Sequence, residues 1–488
     1  MAAAMSRREL IRRSVMLSSA AAAAPALLPG LLDSASASSR MDAGEARWSS
    51  AAAAGKPKSL NMLYATVEAD SDAIKLVLPA FKKEFGFGIN LDTIPYNALQ
   101  QKTFSELASR SSHYDIMIVD TPWMPALTKK VEPLSALIRK EKSSDLQLTD
   151  FIDKVFYDTA VYSAKNPHAH YPKVNPKIDL GAITGSGFDV FGLPIQANVL
   201  TLSYRKDLFD DPSEKAAFKA KYGAELAPPA TWDDFSKVAE FFTRPDKRLY
   251  GTTLMAGVGD WSVDDFKTLL ASFGGDGHMV GDKFQFAFDT PQAVAALQFY
   301  QDMIQKQKIV PPGTTAASWD NASSYFGSGL TAMSMNYHTE SLSGNVKGEI
   351  AYALVPKKVA HGPHFGTWML SLNHFGKNKP WSFRALVWLT AAAQQRRMLA
   401  TQLHPTRKSV YASAAGNASL AKFGNFYDIL GQSLKYGVGR PRLTNYGDVS
   451  HTISVAVNQA ANGSDPAGQL SGAATQVKSQ LQQAGYKV

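Results

Sequence analysis

The chain has 488 residues, of which 45% are hydrophobic and 19% are charged, and it contains no cysteine. This length is enough for about three ordinary domains with large apolar cores, and the lack of cysteine excludes disulfide frameworks, iron–sulfur clusters and thiol catalysis. The formal net charge is +9, but the basic residues are scattered singly and no nucleic-acid motif accompanies them, so we expect no nucleic-acid partner.

The N-terminal residues indicate an export signal. Arg7 and Arg8 are adjacent and precede an alanine-rich apolar run, which prolines and a glycine make a poor membrane-spanning helix. Small residues up to Ala37 are typical of a signal-peptidase cleavage site. We therefore expect a twin-arginine signal peptide over residues 1–37, a flexible linker over residues 38–58 and a soluble periplasmic protein after cleavage.

Strands and helices alternate at the start of the folded part. Apolar residues recur at helical spacing in two segments, and one short segment is almost wholly apolar, as expected for a strand covered on both faces. This alternation predicts a parallel sheet in an α/β architecture. The predicted strands are 59–66, 86–94 and 115–119, and the predicted helices are 73–85 and 98–109.

Residues 164–190 interrupt this pattern with prolines and a glycine-rich stretch, and we expect a long surface excursion there. A pair of strands follows at 191–194 and 198–204, and then a helix capped by Thr231. The later predicted elements are helices 265–273 and 291–305, strands 329–335 and 351–355, and, from Pro380 onward, helices 383–400, 426–434, 449–460 and 467–484.

Signatures of catalysis and of metal binding are weak. A Ser-x-x-Lys lacks the other motifs of penicillin-recognising enzymes. Two histidine pairs lack a third ligand on a common helix face, so solvated loop histidines are the simpler interpretation. Two carboxylate pairs fit helix N-termini. We predict no catalytic residue and no metal site from these motifs, which are Ser203–Lys206, His168/His170, His361/His364, Asp233/Asp234 and Asp264/Asp265.

Aromatic and acidic side chains follow several predicted strands. Ligands of open α/β sheets bind outside the carboxyl ends of the strands. The C–H faces of a sugar stack on aromatic rings, and its hydroxyl groups need charged or amide partners. The pattern therefore favours carbohydrate binding by residues of these loops, which are Tyr64, Glu68, Asp120, Trp123, Trp261, Trp319, Asp320, Tyr337 and Trp368.

In the order of several motifs, the sequence resembles the family 1 extracellular solute-binding proteins of ABC importers, the maltodextrin-binding-like class. The resemblance covers roughly residues 59–485. The motifs are Tyr114–Asp120 (YDIMIVD), Phe191–Asn198 (FGLPIQAN), Ser203–Phe209 (SYRKDLF), Pro229–Asp234 (PATWDD), Phe326–Met333 (FGSGLTAM), His404–Arg407 (HPTR) and Arg440-Pro441.

The resemblance implies a type II-like periplasmic-binding-protein fold, in which two α/β lobes are joined by hinge crossings and the C-terminal part is helical. Ligand is then held between the lobes, and hinge closure follows binding. The crossings would fall near 193–198, 330–334 and 367–371. Lobe one would comprise residues 59–194 plus 333–368, and lobe two residues 197–330 plus 371–488.

The resemblance also implies roles for single residues. Asn198 would line the cleft, and Arg407 would point a fork of donors into it. The expected protein is a monomeric, non-enzymatic component without a cofactor, which delivers a sugar, oligosaccharide or polyol to an ABC permease in the inner membrane.

Three alternatives stay open. Residues 340–488 hold 16 Lys and Arg against 5 Asp and Glu, which together with Arg407 allows an anionic ligand of the glycerol-phosphate type. An exported glycoside hydrolase would need two carboxylates in one cleft. A sensor that presents bound ligand to a membrane receptor would share the same sequence features.

Overall fold

The computed structural model describes residues 55–66, 68–171, 173–337 and 347–488. The expected signal peptide and most of the expected linker lie outside the described residues. Among the described helices, none is both long and apolar enough to cross a membrane.

The first half of the chain builds most of a five-stranded sheet with the order β2-β1-β3-β11-β6. β1, β2 and β3 are parallel, as the alternation of strands and helices predicted. The elements are β1 (Ser59–Ala65), α1 (Glu68–Phe85), β2 (Gly88–Ile94), α2 (Tyr96–Ala108), β3 (Ile116–Asp120), α3 (Met124–Leu127), α4 (Ser135–Lys140), α5 (Asp153–Ala160), β4 (Val161–Tyr162), α6 (Leu180–Gly185), β5 (Asp189–Val190) and β6 (Leu193–Gln196).

A second sheet of four strands has the order β10-β7-β9-β8. The expected pairing of the strands at 191–194 and 198–204 is wrong, because β6 pairs with β11 in the first sheet and β7 pairs with β9 and β10 in the second. The elements are β7 (Thr201–Arg205), α7 (Lys206–Asp210), α8 (Pro212–Tyr222), α9 (Trp232–Phe242), β8 (Tyr250–Thr252), α10 (Asp260–Ser272), α11 (Pro291–Gln305), α12 (Trp319–Gly327), β9 (Thr331–Asn336) and β10 (Ile350–Ala353).

The chain then returns to the first sheet and ends in helices. β11 inserts antiparallel between β3 and β6. The last elements are β11 (Trp368–Leu372), α13 (Lys379–Leu389), α14 (Ala392–Met398), α15 (Lys408–Ala414), α16 (Phe426–Ser433), α17 (Tyr446–Ala461) and α18 (Pro466–Gln483).

Each sheet has its own hydrophobic core, and we call each sheet with its core a lobe. The first core includes residues of β1, β3 and the helices α13 and α14, whereas the second includes residues of β7, β9, α17 and α18. This division differs from the expected bounds. β9 and β10 belong to the second sheet, and α13 and α14 pack on the first. The segment 330–334 is therefore not a crossing, because it enters a strand of the second sheet.

Candidate functional site

Three side chains of the first lobe meet at the carboxyl ends of its parallel strands. Asp120 is the last residue of β3, and Trp368 lies opposite it at the start of the antiparallel strand β11. Tyr96 begins α2 just after β2, and its Oη donates a hydrogen bond to Asp120 Oδ2 at 2.5 Å. The chain topology therefore delivers a carboxylate and aromatic rings to one sheet edge, where α/β folds bind ligands.

Aromatic rings of both lobes form one cluster here. The Tyr96 ring is stacked between Trp123, with centroids 5.7 Å apart and planes at 28°, and Trp368, at 5.5 Å and 10°. From the second lobe, Trp319 at the start of α12 meets Tyr96 edge-on at 5.7 Å, and Trp261 in α10 meets Trp319 at 5.3 Å. We call these five residues the aromatic cluster.

The indole N–H groups of Trp261 and Trp319 have no acceptor among the described residues, although both nitrogens are buried. A buried donor without a partner costs about 1–3 kcal/mol. A ligand with hydroxyl oxygens would satisfy both donors.

A charged group joins the two lobes beside the rings. Arg440, in the segment between α16 and α17, places Nη1 3.2 Å from Asp120 Oδ1 of the first lobe. Its Nε lies 3.1 Å from Asp260 Oδ2, and its Nη2 lies 3.8 Å from Asp264 Oδ1, both in α10 of the second lobe. We call these four residues the Arg440 cluster; it is one cation among three carboxylates.

Burial and charge act in opposite directions within this cluster. Burial raises the pKa of Asp120 and of Asp264, and the nearby Arg440 guanidinium lowers both. Burial acts to lower the pKa of Arg440, but Asp120, Asp260 and Asp264 outweigh it and hold the pKa well above its usual range. Arg440 is therefore a permanent cation, whereas burial outweighs it at Asp120 and Asp264 and leaves the pKa of both carboxyl groups raised.

Two glycines allow Arg440 to reach this position. The segment around Val438 runs beside the chain at His364 as a parallel bridge. A Cβ on Gly437 would lie 1.8 Å from the Phe365 ring, and a Cβ on Gly439 would lie 2.2 Å from Asp158 Oδ1. A larger residue at either position would require the segment, or the Phe365 or Asp158 side chain that it meets, to shift.

A second layer of polar side chains supports the Arg440 cluster. Tyr337, which follows β9, donates from Oη to Asp264 Oδ2 at 3.2 Å and also contacts His364 Nδ1. His364 is fully buried. Lys267 Nζ donates to the carbonyl of Val438 at 2.6 Å, and burial lowers the pKa of Lys267 to about 7. These contacts fix Asp264 and the Arg440 segment.

The neighbouring residue Asp265 gives a pH prediction. It accepts hydrogen bonds from the Met255 N–H at 2.8 Å and from Tyr300 Oη at 3.0 Å, and burial raises its pKa to about 7. A raised carboxyl pKa contributes stability that is present below the unfolded pKa and is lost as the pH rises towards about 7. Asp265→Asn, which keeps an acceptor and cannot ionise, should escape a loss of about 2–3 kcal/mol between pH 5 and pH 7.

Urea denaturation of both proteins at several pH values checks this prediction. The free energy of unfolding of the natural chain should fall relative to that of Asp265→Asn as the pH rises. Parallel pH profiles would show that Asp265 does not change its protonation over this range.

The crossing between the lobes carries further buried polar atoms. Gln196 ends β6 and is fully buried, and neither atom of its amide has a hydrogen-bond partner among the described residues. Asn198 lies two residues further along the chain. The Asn198 carbonyl accepts a hydrogen bond from Gly366 N at 2.9 Å, and the side-chain Oδ1 of Asn198 has no partner among the described residues. Buried amides are normally paired, so these groups fit a polar ligand.

Comparison with known proteins decides the family. Residues 64–396 match the model of the bacterial extracellular solute-binding proteins. The chain belongs to this family. A protein of Deinococcus radiodurans, described as a probable ABC transporter-binding protein, is 23% identical over 428 residues, which cover 83% of this chain and 90% of that protein. A protein of Brucella abortus, described as a putative binding protein, is 24% identical over 361 residues, covering 71% of this chain and 76% of that protein.

Solved structures show the same two-lobed α/β fold. Maltose-bound MalE3 of T. maritima has a TM-score of 0.70 and 22% identity, covering 87% of this chain and 100% of that one. A ribitol complex of a solute-binding protein from Agrobacterium radiobacter K84 has a TM-score of 0.69 and 19% identity, with the same coverage.

The structure of this solute-binding protein brings most of the sequence-predicted site residues together. Trp123, Trp261, Trp319 and Trp368 lie in the aromatic cluster, Asp120 lies in the Arg440 cluster, Tyr337 lies behind it, and Asn198 lies at the crossing. Two lie apart from these groups: Tyr64 is fully buried in the first core, and Asp320 is exposed on α12. The side chain of Glu68 lies outside the described residues.

Arg407 has a different setting from the one expected. Its guanidinium is fully buried in the first lobe and lies 3.7 Å from the ring centroid of Phe151. Its donors reach backbone carbonyls of Thr390 at 2.9 Å, Leu146 at 3.0 Å, Gln147 at 3.0 Å and Asp145 at 3.3 Å. The guanidinium donors of Arg407 are thus paired with backbone carbonyls of the protein, and Arg407 is not part of the proposed site.

Six residues of the two clusters and their support had no predicted site role: Tyr96, Asp260, Asp264, Lys267, His364 and Arg440. The expectation that Asp264 and Asp265 cap a helix is wrong, because α10 begins at Asp260. The solvated setting expected for His364 is also wrong. Arg440 carried a usable signal, since its Arg-Pro was part of the family resemblance.

Proposed function

We propose that this chain is the substrate-binding component of an ABC importer, and that it holds a neutral sugar, oligosaccharide or polyol between its lobes by hinge closure. The observation that carries the proposal is the position of Arg440, which contacts Asp120 of the first lobe and Asp260 of the second, beside rings from both lobes. A ligand lodged here touches both lobes at once, which favours the closed form.

The chemistry of the site suits a polyhydroxylated ligand. The Tyr96–Trp123–Trp368 stack and the Trp319 ring offer apolar surfaces for C–H faces. Carboxylate oxygens accept hydrogen bonds from hydroxyl groups, and the two unpaired indole N–H groups donate to hydroxyl oxygens. The names of the similar proteins support this class, since they record complexes with maltose, ribitol and D-mannitol.

The charge of the site argues against the anionic alternative. Three carboxylates face the single guanidinium of Arg440, and Arg407, which suggested an anion, donates to backbone carbonyls instead. A phosphate ester would meet three carboxyl groups and a cation that they already surround. We therefore favour a neutral ligand over a glycerol-phosphate type.

The family supports binding over catalysis. A glycoside hydrolase would turn over chromogenic glycosides, and Asp120→Asn would abolish that turnover; we expect no turnover by either protein.

The proposal also includes periplasmic export by the twin-arginine route, delivery to an inner-membrane permease rather than to a sensor, and a monomeric state. Replacing Arg7 and Arg8 by lysine should trap the precursor in the cytoplasm.

A thermal-shift screen of residues 38–488 against neutral sugars, polyols and glycerol-phosphate esters tests the proposed ligand class. A ligand at 100 times its dissociation constant adds about 2.7 kcal/mol to stability. We expect a hit among the neutral compounds. A shift produced by the phosphate esters alone would contradict the proposed class.

Trp368→Ala is expected to weaken the binding of such a hit. The substitution removes one ring of the stack, and the lost contact should cost about 1–2 kcal/mol, which is roughly a fivefold to thirtyfold rise in the dissociation constant. Titration calorimetry measures the effect. Trp388→Phe is the control, because Trp388 is buried in the first core near Phe81 at 5.3 Å; it should lower stability and leave affinity unchanged.

A further inference from the structure

The connection between β4 and β5 is far longer than the two strands require. Val161 pairs with Val190 and Tyr162 with Asp189, so the strand ends are direct neighbours, and a two-residue turn would join them. Residues 163–188 lie between them instead. We call this connection, described at 163–171 and 173–188, the strap. Long connections in compact folds usually have a function.

The base of the strap is anchored on the first lobe. Ile178 and Ile183 are buried in the first core. Asp179 caps the short helix α6, accepting from Gly181 N at 2.8 Å and from Ala182 N at 3.1 Å. The strap is thus folded onto the lobe from which it starts.

The tip of the strap lies on the second lobe. The His170 N–H donates to Asp282 Oδ1 at 3.3 Å, and its ring Nε2 lies 3.2 Å from the same oxygen. His168 packs at 5.3 Å from the Phe284 ring and at 5.4 Å from the Tyr486 ring, and both rings pack against the second core. The strap therefore spans from one lobe to the other.

The strap packs against the chain segment that carries Arg440. Its Tyr171 ring lies 4.8 Å from the guanidinium carbon of Arg442, two residues beyond Arg440. Arg442 also donates to the carbonyl of Val161 at 2.6 Å. Tyr162, which precedes the strap, donates to the carbonyl of Thr121, the residue after Asp120. Tyr171 of the strap therefore contacts a residue close to Arg440 in the chain, and Tyr162 of β4 contacts the residue next to Asp120.

We propose that the strap closes the cleft on the side of the Arg440 cluster, so that a bound carbohydrate chain must end there and long chains are excluded. This inference rests on the proposed function. On this proposal a ligand of one or two units does not reach the strap, whereas a chain extending past Arg440 and Arg442 meets Tyr171 or displaces His170 from Asp282. The strap is a specificity determinant rather than a direct ligand.

The test compares ligand length in variants of residues 38–488. In one variant, Asn-Gly replaces residues 163–188, which suits a two-residue turn between the paired ends of β4 and β5. A milder variant combines His170→Ala with Asp282→Ala. His374→Ala is the control, because it removes an exposed contact with Glu132 within the first lobe. Calorimetry measures glucose, maltose, maltotriose and maltotetraose, with mannitol and ribitol alongside.

The unaltered chain should bind its shortest ligands at least tenfold more tightly than maltotetraose. Either strap variant should lose this preference by gaining affinity for the longer chains, while His374→Ala keeps it. A length profile that is flat in the unaltered chain, or unchanged in the variant with Asn-Gly, would overturn the strap inference and leave the proposed function standing. No binding of any of these compounds by the unaltered chain would overturn both.

Discussion

Arg440→Met should abolish ligand binding and destabilise the fold. The guanidinium is the only cation of the Arg440 cluster, where it contacts Asp120, Asp260 and Asp264. Removing one partner of a buried ion pair costs about 3–5 kcal/mol, because the remaining charge is left uncompensated. The carboxyl groups of the two lobes would lose the cation that they share, so the closed form would be lost together with the affinity.

Arg440→Lys separates the two effects. A lysine keeps the positive charge but cannot reach carboxylates of both lobes with a planar fork, so it should recover much of the stability and little of the affinity. Calorimetry and urea denaturation measure the two quantities. Lys435→Met, at an exposed position of the same segment, is the control. Full affinity in Arg440→Met would remove this residue from the site.

Arg407→Met should have the opposite balance, with a large loss of stability and little change in affinity per folded molecule. Its guanidinium satisfies carbonyls of residues 145–147 and of Thr390. The substitution leaves these buried acceptors unpaired and removes the contact with Phe151. Hydrogen bonds to charged groups contribute about 1.5–3 kcal/mol each, and non-additivity brings the expected total to about 3–5 kcal/mol.

Lys408→Met is the control for Arg407→Met, because it removes a neighbouring positive charge that is exposed rather than buried. Lys408 is exposed and pairs with Asp153 at 3.2 Å, and such surface pairs contribute about 0–1 kcal/mol. Its unfolding midpoint in urea should stay close to that of the natural chain. A stable Arg407→Met that fails to bind ligand would restore the role that the family resemblance implied.

The fold was predictable where local pattern and packing agree. The helix after Thr231 begins as expected, with the Thr231 side chain accepting from Asp234 N, and α11 runs from Pro291 to Gln305 as predicted. Prediction failed where strand pairing between distant chain segments determines the sheet to which a strand belongs. The assignment of β10 and β11 to opposite sheets depends on pairing with β7 and β3, which no local periodicity records.

A single predicted helix over 383–400 is two helices in the structure. α13 ends at Leu389, and the side chain of Thr390 donates to the carbonyl of Leu386 at 2.9 Å. Ala391 then adopts an extended conformation before α14. A threonine side chain that competes for backbone acceptors favours such a break, but the apolar spacing of the two helices is continuous.

The tryptophans of the candidate site were predictable only in part, because Trp123 and Trp261 come after the strands β3 and β8, whereas Trp368 begins β11 and Trp319 begins α12. The Arg440 cluster was not predictable. Arg440 lies 320 positions beyond Asp120 in the chain, and its place depends on Gly437 and Gly439 fitting against Phe365 and Asp158. The prediction for Arg407 failed for a related reason. An arginine in a family motif can donate hydrogen bonds to a ligand or to backbone carbonyls, and the sequence does not show which acceptors its donors reach.

Hydrogen exchange with and without the hit of the thermal-shift screen tests most directly whether the ligand lies between the lobes. We expect ligand-dependent protection in peptides from both lobes at once, namely those that carry Tyr96, Asp120, Asp260, Trp319 and Arg440. Protection confined to one lobe, or centred on the separate cavity lined by Tyr411, Tyr427 and Lys435, would contradict it.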